Sequence, residues 1–381
     1  MSKDAREALL PPGMNDILPP DAGFEAMIVN RLLKGFASHG YEQVKPPLVE
    51  FEETLLGGDG PSMSDQTFRL MDPESRRMMG VRADMTLQIA RIATTRLKDA
   101  PRPLRLCYAG QVLRVSGTQL RSERQFGQAG VELIGAETSA ADAEIIALAA
   151  EQLVDAGLKD LSVDLTVPTL VPAVCAAHGL AGGDAAKARA ALDRKDAAAV
   201  AALGGDAASI LGALLAAAGP ARRSLSELSG LDLPVAAKQE CQRLADVVEL
   251  VSQAVPGLTL TIDPVENRGF EYHSGISFVL FARNIRGELG RGGRYLAGNG
   301  GGEPATGFSL FMDTLMHALP GAKPRKMVFV AWGTPAADAG KLRQDGWVTV
   351  AAVEESDDVD AQARRMGCSH VWRSGKVVPV D

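Results

Sequence analysis

Apolar residues recur at helical spacing from residue 20 to 38. Phe24, Ile28, Leu32 and Phe36 fall on one face, and Gly40 supplies a stop. Tyr41 to Phe51 follows with strand character, interrupted by Pro46 and Pro47, which confine such a strand to an edge or interface. Phe68 to Asp84 reads as a hairpin turning at Asp72-Pro73-Glu74-Ser75, and Met85 to Lys98 as a helix. Strands are predicted over 104–114 and 126–134, either side of a polar, basic loop. A helix over 140–156 and a strand over 161–167 follow.

From about 170 to 255 alanine dominates, strand signals vanish, and Gly or Pro breaks recur. Leucines and valines still repeat at helical spacing (Leu211, Leu214, Leu215; Leu244, Val247, Val248, Val251), so this stretch reads as a packed helical insertion. Strands resume over 258–263 and 276–281. A Gly-rich run follows from Arg291 to Gly302, and then a strand-to-helix passage over 306–319. A Pro/Lys linker over 321–326 leads to a tail of strands, an acidic helix near 355–366 and a last strand pair around Gly375. The predicted organisation is 1–169 with 256–320 as one domain, 170–255 as its insertion, and 327–381 as a small α/β unit.

Composition narrows this little. The chain has 381 residues, 46% hydrophobic and 23% charged, an ordinary globular balance. A net charge of −7 argues weakly against a nucleic-acid ligand, and the balanced charge of the tail gives it no grip on an RNA backbone. Cys107, Cys175, Cys241 and Cys368 stand far apart, without CxxC or zinc spacing, so no metal is expected and the thiols read as free in a reducing compartment. No apolar leader and no membrane-length apolar run stands in the sequence, so the expectation is a cytoplasmic protein without a membrane segment.

Candidate chemistry sits in ordered blocks. Gln128 and Glu132 lie four apart on a predicted strand and so share a face; among apolar neighbours that suggests ligand contact, with a solvated edge as the bland reading. Asp84 stands before a helix, where it fits an N-cap as well as a ligand contact. Together, Val44-Lys45-Pro46-Pro47-Leu48-Val49-Glu50, Val81-Arg82-Ala83-Asp84-Met85-Thr86, Leu113-Arg114-Val115-Ser116 with Arg121 to Glu132, Asn267-Arg268-Gly269-Phe270-Glu271-Tyr272-His273, and Gly307-Phe308-Ser309-Leu310-Phe311-Met312-Asp313-Thr314 resemble the catalytic domain of the histidyl-tRNA synthetases over residues 9–320. The resemblance implies an α+β fold: a class II aminoacyl-tRNA synthetase-like antiparallel sheet flanked by helices, dimeric through the first block.

It also implies roles. Asp84 and Thr86 would hold an α-ammonium, Gln128 and Glu132 the ammonium and imidazole of histidine, and Arg268 its carboxylate. Arg121, Tyr272 and His273 complete the predicted histidine set, with His273 replacing a tyrosine of the family. Arg114 matches the arginine that touches the α-phosphate. Ser116 stands where the family has an acid, and Thr314 where an arginine clamps ATP. A threonine hydroxyl supplies neither fixed charge nor a forked donor, so this ATP site is degenerate.

That asymmetry, and the Ala191-Leu192-Asp193-Arg194-Lys195-Asp196 block, are similar to the regulatory subunits of ATP phosphoribosyltransferase, which are paralogues of the synthetases. The implied protein is non-catalytic and needs no cofactor. It partners the short-form catalytic subunit of the first step of histidine biosynthesis, in a hetero-octamer, and transmits feedback inhibition by histidine. Two other readings stay open: an active histidyl-tRNA synthetase with a degenerate motif 3, and a stand-alone amino-acid sensor. The tail is equally compatible with stabilising a dimer and with touching the partner.

Overall fold

In the structure, a computed structural model, residues 9–57, 61–118, 121–267, 273–298 and 302–380 are described. Arg268 and Tyr272 of the predicted histidine set, and part of the Gly-rich run, lie outside them. The chain divides into two compact units, with the boundary between Gly321 and Ala322.

The first unit opens on the helix Asp21–Ser38, whose buried residues are Phe24, Ile28, Leu32 and Phe36, the four that the periodicity selects. Burying each contributes about 1.5–3 kcal/mol. Phe36 meets Phe308 edge-to-face at 5.7 Å between ring centroids, seating the helix on the sheet. Then comes β1 (Glu42–Gln43), followed by β2 (Val49–Phe51), β3 (Arg69–Met71) and β4 (Met78–Val81). The single strand expected over Tyr41 to Phe51 is thus two. Pro46 and Pro47 lack the N–H that a ladder needs, and across them the chain leaves one sheet for another. β2, β4 and β3 form a small antiparallel sheet in that order. Its turn at Asp72 is closed by amide donation from Glu74 and Ser75 to the Asp72 carboxylate.

The main sheet continues with β5 (Leu104–Leu113), β6 (Gln125–Ile134), β7 (Leu161–Thr166), β8 (Gly219–Pro220), β9 (Thr259–Ile262), β10 (His273–Ala282), β11 (Gly290–Ala297) and β12 (Glu303–Phe311). Its nine strands run β1-β5-β6-β12-β11-β10-β7-β9-β8. The centre from β5 to β7 is antiparallel throughout, with parallel pairs only at β1/β5 and β7/β9. Both outermost strands, β1 and β8, are two residues long.

The Gly-rich run does not read as a strand, yet most of it is β11, deep in this sheet. Its glycines make room: a Cβ on Gly292 would lie 2.6 Å from the Phe278 ring. Next to them, buried Arg294 pairs with Asp142 at 2.9 Å and donates to the carbonyls of Ala136 and Thr138, tying β11 to the start of the Ser139–Ala156 helix.

The stretch 170–255 holds helices Leu170–Ala177, Gly182–Asp193, Ala197–Ala201, Gly205–Ala216, Ala221–Ser229 and Val235–Ala254, and also the short β8, for which alanine-rich sequence gives no sign.

In the second unit β13 (Met327–Val330) lies parallel to β14 (Val348–Ala351) and β15 (His370–Arg373), and β16 (Lys376–Pro379) closes a hairpin with β15. Val328, Val330 and Leu342 pack on one side of the sheet; Phe329, Ala363, Cys368 and Val371 form a separate cluster. The helix Ala336–Gln344 goes unannounced in the sequence because only Leu342 of it is buried. Among the described residues no helix is long and apolar enough to cross a membrane, and no His/Cys/Asp/Glu group is arranged to hold a metal.

Candidate functional site

β6 lies between β5 and β12, an interior position that removes the solvated-edge reading of Gln128 and Glu132. Each is 1% exposed. Gln128 donates from Nε2 to Asp84 Oδ2 at 2.8 Å and accepts the Met85 amide at 3.0 Å. Asp84 Oδ1 accepts the Thr86 amide at 2.8 Å. The acid therefore serves the first turn of the Thr86–Thr95 helix with one oxygen and meets Gln128 with the other. Buried Arg82, donating to the carbonyls of Gln111 and Pro46, fixes the approach to that turn.

A hydroxyl relay runs from there to Glu132. Thr86 Oγ1 lies 3.4 Å from Tyr108 Oη, which is 2.8 Å from Ser309 Oγ and donates to Glu132 Oε1 at 3.3 Å. Tyr295 Oη donates to Glu132 Oε2 at 2.9 Å. Burial pushes the Glu132 carboxyl up to about 8, against the hydrogen bonds from Tyr295, Thr86 and Tyr108, and the Asp84 charge raises it further. Burial first, and then the charges of Glu132 and Asp84, hold Tyr108 well above its ordinary range, so it is a neutral donor. Gly307 and Gly130 make this packing possible. A Cβ on Gly307 would strike the Glu132 carboxylate, and one on Gly130 the Tyr108 hydroxyl. Buried His273 opens β10 directly across from Tyr295. The arrangement offers the Asp84 carboxylate, a Glu132 carboxyl that burial keeps protonated near neutral pH and that a bound cation would ionise, and neutral hydroxyls, a set suited to a small cationic ligand with several N–H donors.

Arg114 stands at the rim. It donates from Nε to Ala83 O at 3.2 Å, and Nη2 lies 4.0 Å from Asp84 Oδ2. Burial lowers its pKa and Asp84 raises it. Ser116 is exposed beyond the end of β5.

Arg121 is not with the predicted histidine set. Its side chain reaches the start of the Met312–Ala318 helix, donating from Nε to Asp313 Oδ2 at 2.8 Å and from Nη2 to Thr314 Oγ1 and Glu288 O, each at 3.4 Å. The guanidinium carbon sits 3.9 Å from the Phe311 ring centroid. Glu288 also pairs with Arg291. The corner that the resemblance assigns to phosphates therefore holds an arginine, but one already engaged by an acid. The cavity left beside Arg121, Arg286, Asp313, Thr314 and His317 is about 240 Å³, under the roughly 300–1,000 Å³ usual for small-molecule sites.

A profile of the histidyl-tRNA synthetase family matches residues 13–315. The ATP phosphoribosyltransferase regulatory subunit of Paramagnetospirillum magneticum is 60% identical over 381 residues, covering 100% of both chains. The chain belongs to the family of ATP phosphoribosyltransferase regulatory subunits. A solved regulatory subunit/histidyl-tRNA synthetase from Bacillus halodurans superposes on this family member with TM-score 0.81 at 27% identity, over 94% of this chain and 96% of that one. A chain of the ATP phosphoribosyl transferase (HisG:HisZ) complex of Thermotoga maritima shares the fold at TM-score 0.60 and 18% identity, over 76% of this chain and 97% of that one. The fold is class II synthetase-like, as the motif blocks imply.

For this regulatory-subunit family member, the structure gathers Asp84, Thr86, Gln128 and Glu132 in one network, with His273 beside it, and separates Arg121. Sequence reasoning misses Tyr108, Tyr295 and Ser309 in the first corner and Asp313 and Glu288 in the second. One signal was available: the chain has only 4 tyrosines, and Tyr295 stands out inside a glycine run.

Proposed function

We propose that this chain is a non-catalytic subunit of ATP phosphoribosyltransferase, acting in the first step of histidine biosynthesis. In this reading it binds the short-form catalytic subunit in a cytoplasmic hetero-octamer, supports its turnover and passes on inhibition by histidine. Family membership supports the role. The carrying observation is the contrast between the two corners. Asp84, Gln128 and Glu132 share one buried polar network that would receive an ammonium and an imidazole in this reading, while Asp313 pairs with the arginine of the phosphate corner.

Thr86 and His273 complete the proposed histidine contacts, joined by Arg268 and Tyr272 from the resemblance; Arg121 is left out on its geometry. Histidine would shift the assembly by its differential affinity for the inhibited state. Self-association through the Val44–Glu50 block follows from the resemblance of that block to the family's dimer strand. Two groups needed for adenylation, an acid at 116 and an arginine at 314, are missing, so no aminoacylation is expected.

The test is co-purification with a short-form catalytic subunit, with turnover measured with and without this chain and histidine. Formation of the complex, a gain in turnover and its suppression by histidine support the role. Histidine-dependent ATP–pyrophosphate exchange by the isolated chain would overturn it.

A further inference from the structure

The block Ala191 to Asp196 lies in the helical insertion, and the functional reading gives it no task. In the structure it is a hook. Lys195, at a left-handed φ of 55°, follows the Gly182–Asp193 helix and sends Nζ to Asp263 Oδ2 at 2.6 Å and to within 3.7 Å of Glu266 Oε2. Asp196 caps the next helix by accepting the Ala199 amide at 2.9 Å, so Lys195 is held from behind. One helical turn and more before it, Arg189 donates to Val265 O at 2.8 Å.

The segment so gripped, Asp263 to Asn267, is the stretch between β9 and the residues leading to His273. It is tied to the sheet as well. Thr166 donates from Oγ1 to Glu266 O at 2.7 Å, and the Thr166 backbone is in register with Ser277 of β10. Asp164 lies close enough for its carboxyl to be raised by Asp263 and Glu266 and lowered by Lys195, with burial the largest cause. Two acids, Asp263 and Glu266, thus share one ammonium; without it their like charges are left side by side, and the segment is held to the insertion only by Arg189 on the Val265 carbonyl.

We propose that Lys195 is a positioning residue: by clasping Asp263 and Glu266 it lets the helical insertion set the placement of His273, and through it the affinity of the site for its amino-acid ligand. The inference rests on the histidine reading above.

The test uses the complete chain as Lys195→Met and Lys195→Arg, with histidine titrated calorimetrically and backbone hydrogen exchange followed in parallel. Lys195→Met is expected to weaken histidine binding about tenfold, which is about 1.4 kcal/mol. It should also speed exchange at residues 263–267 and 273–277 and leave β5 and β6 protected. Lys195→Arg should restore both to near wild type; a loss of general stability would instead speed exchange in β5 and β6 as well. Unchanged affinity and unchanged exchange in Lys195→Met overturn the proposal. If wild type itself gives no heat with histidine, the ligand reading fails, and the exchange pattern alone decides whether Lys195 governs the placement of His273.

Discussion

Arg121 and Asp313 meet at the junction of β12 with the helix that follows it, 2.8 Å between Nε and Oδ2, with side chains only 8% and 10% exposed. Losing Asp313 would leave the buried Arg121 charge with only a longer ion pair, Nη1 to Glu288 Oε1 at 3.8 Å. Asp313→Ala is expected to destabilise the fold by about 1.5–3 kcal/mol, the worth of a hydrogen bond to a charged group, read as a lowered denaturation midpoint. Arg121→Leu with Asp313→Leu should recover most of the loss.

Restoring the residue that the degenerate motif lacks should not restore the chemistry. Thr314 Oγ1 already accepts from Arg121 at 3.4 Å, so Thr314→Arg places two guanidinium groups together. The expected outcome is a lower melting temperature and no ATP–pyrophosphate exchange, checked by thermal unfolding and an isotope-exchange assay.

Glu132 gives the protein a pH signature. Its folded value of about 8 lies above its ordinary 4.5, so the native state holds a proton that the unfolded chain releases. Between about 4.5 and 8 the native state binds more protons, and this group's contribution makes stability fall as pH rises across that window and level off above it. Glu132→Gln removes the titration. It should be close to wild type at pH 5 and gain on it toward pH 9, measured by denaturant melts at each pH. A ligand cation bound against Glu132 would lower its pKa, so histidine binding near pH 7 should release a proton, visible as a heat that varies with buffer ionisation enthalpy.

Gly307 faces Glu132 with no room for a methyl group. Gly307→Ala is expected to displace the carboxylate, break its bond from Tyr295 and, with Val131 O 2.5 Å from the new Cβ, strain the β6–β12 pairing, abolishing histidine binding and lowering the melting temperature. At Gly212 a methyl group would meet no neighbour within 4 Å, so Gly212→Ala serves as the harmless control.

Asp84→Asn keeps the shape and removes the charge. A charge-assisted bond contributes roughly 1.5–3 kcal/mol, so histidine affinity should drop about 10–100-fold in calorimetry. Gln128→Ala, which removes the donor to Asp84, should fall in the same direction.

Much of this architecture is legible in the chain because the signals are local. The Asp21–Ser38 helix shows in four apolar residues at regular spacing, and β6 shows with Gln128 and Glu132 on one face. What stays hidden is relational. Glycine dilutes the strand pattern of β11, although Gly292 is there because Phe278 crowds it from the adjacent strand, and Gly293 because His273 and Ser277 do. Tyr108 and Tyr295 become site residues only when β5 and β11 bring them to Glu132 from opposite sides. Arg121 reads as a ligand contact by its neighbours in sequence, and its engagement with Asp313 depends on a partner 192 positions away.

The brevity of β1 and β8 carries a last consequence. An outer strand of two residues exposes almost no free ladder, and Pro220 removes one of the few donors left. A second chain therefore finds little on either end strand of the main sheet to pair with, which guards those two ends against fibrous self-association.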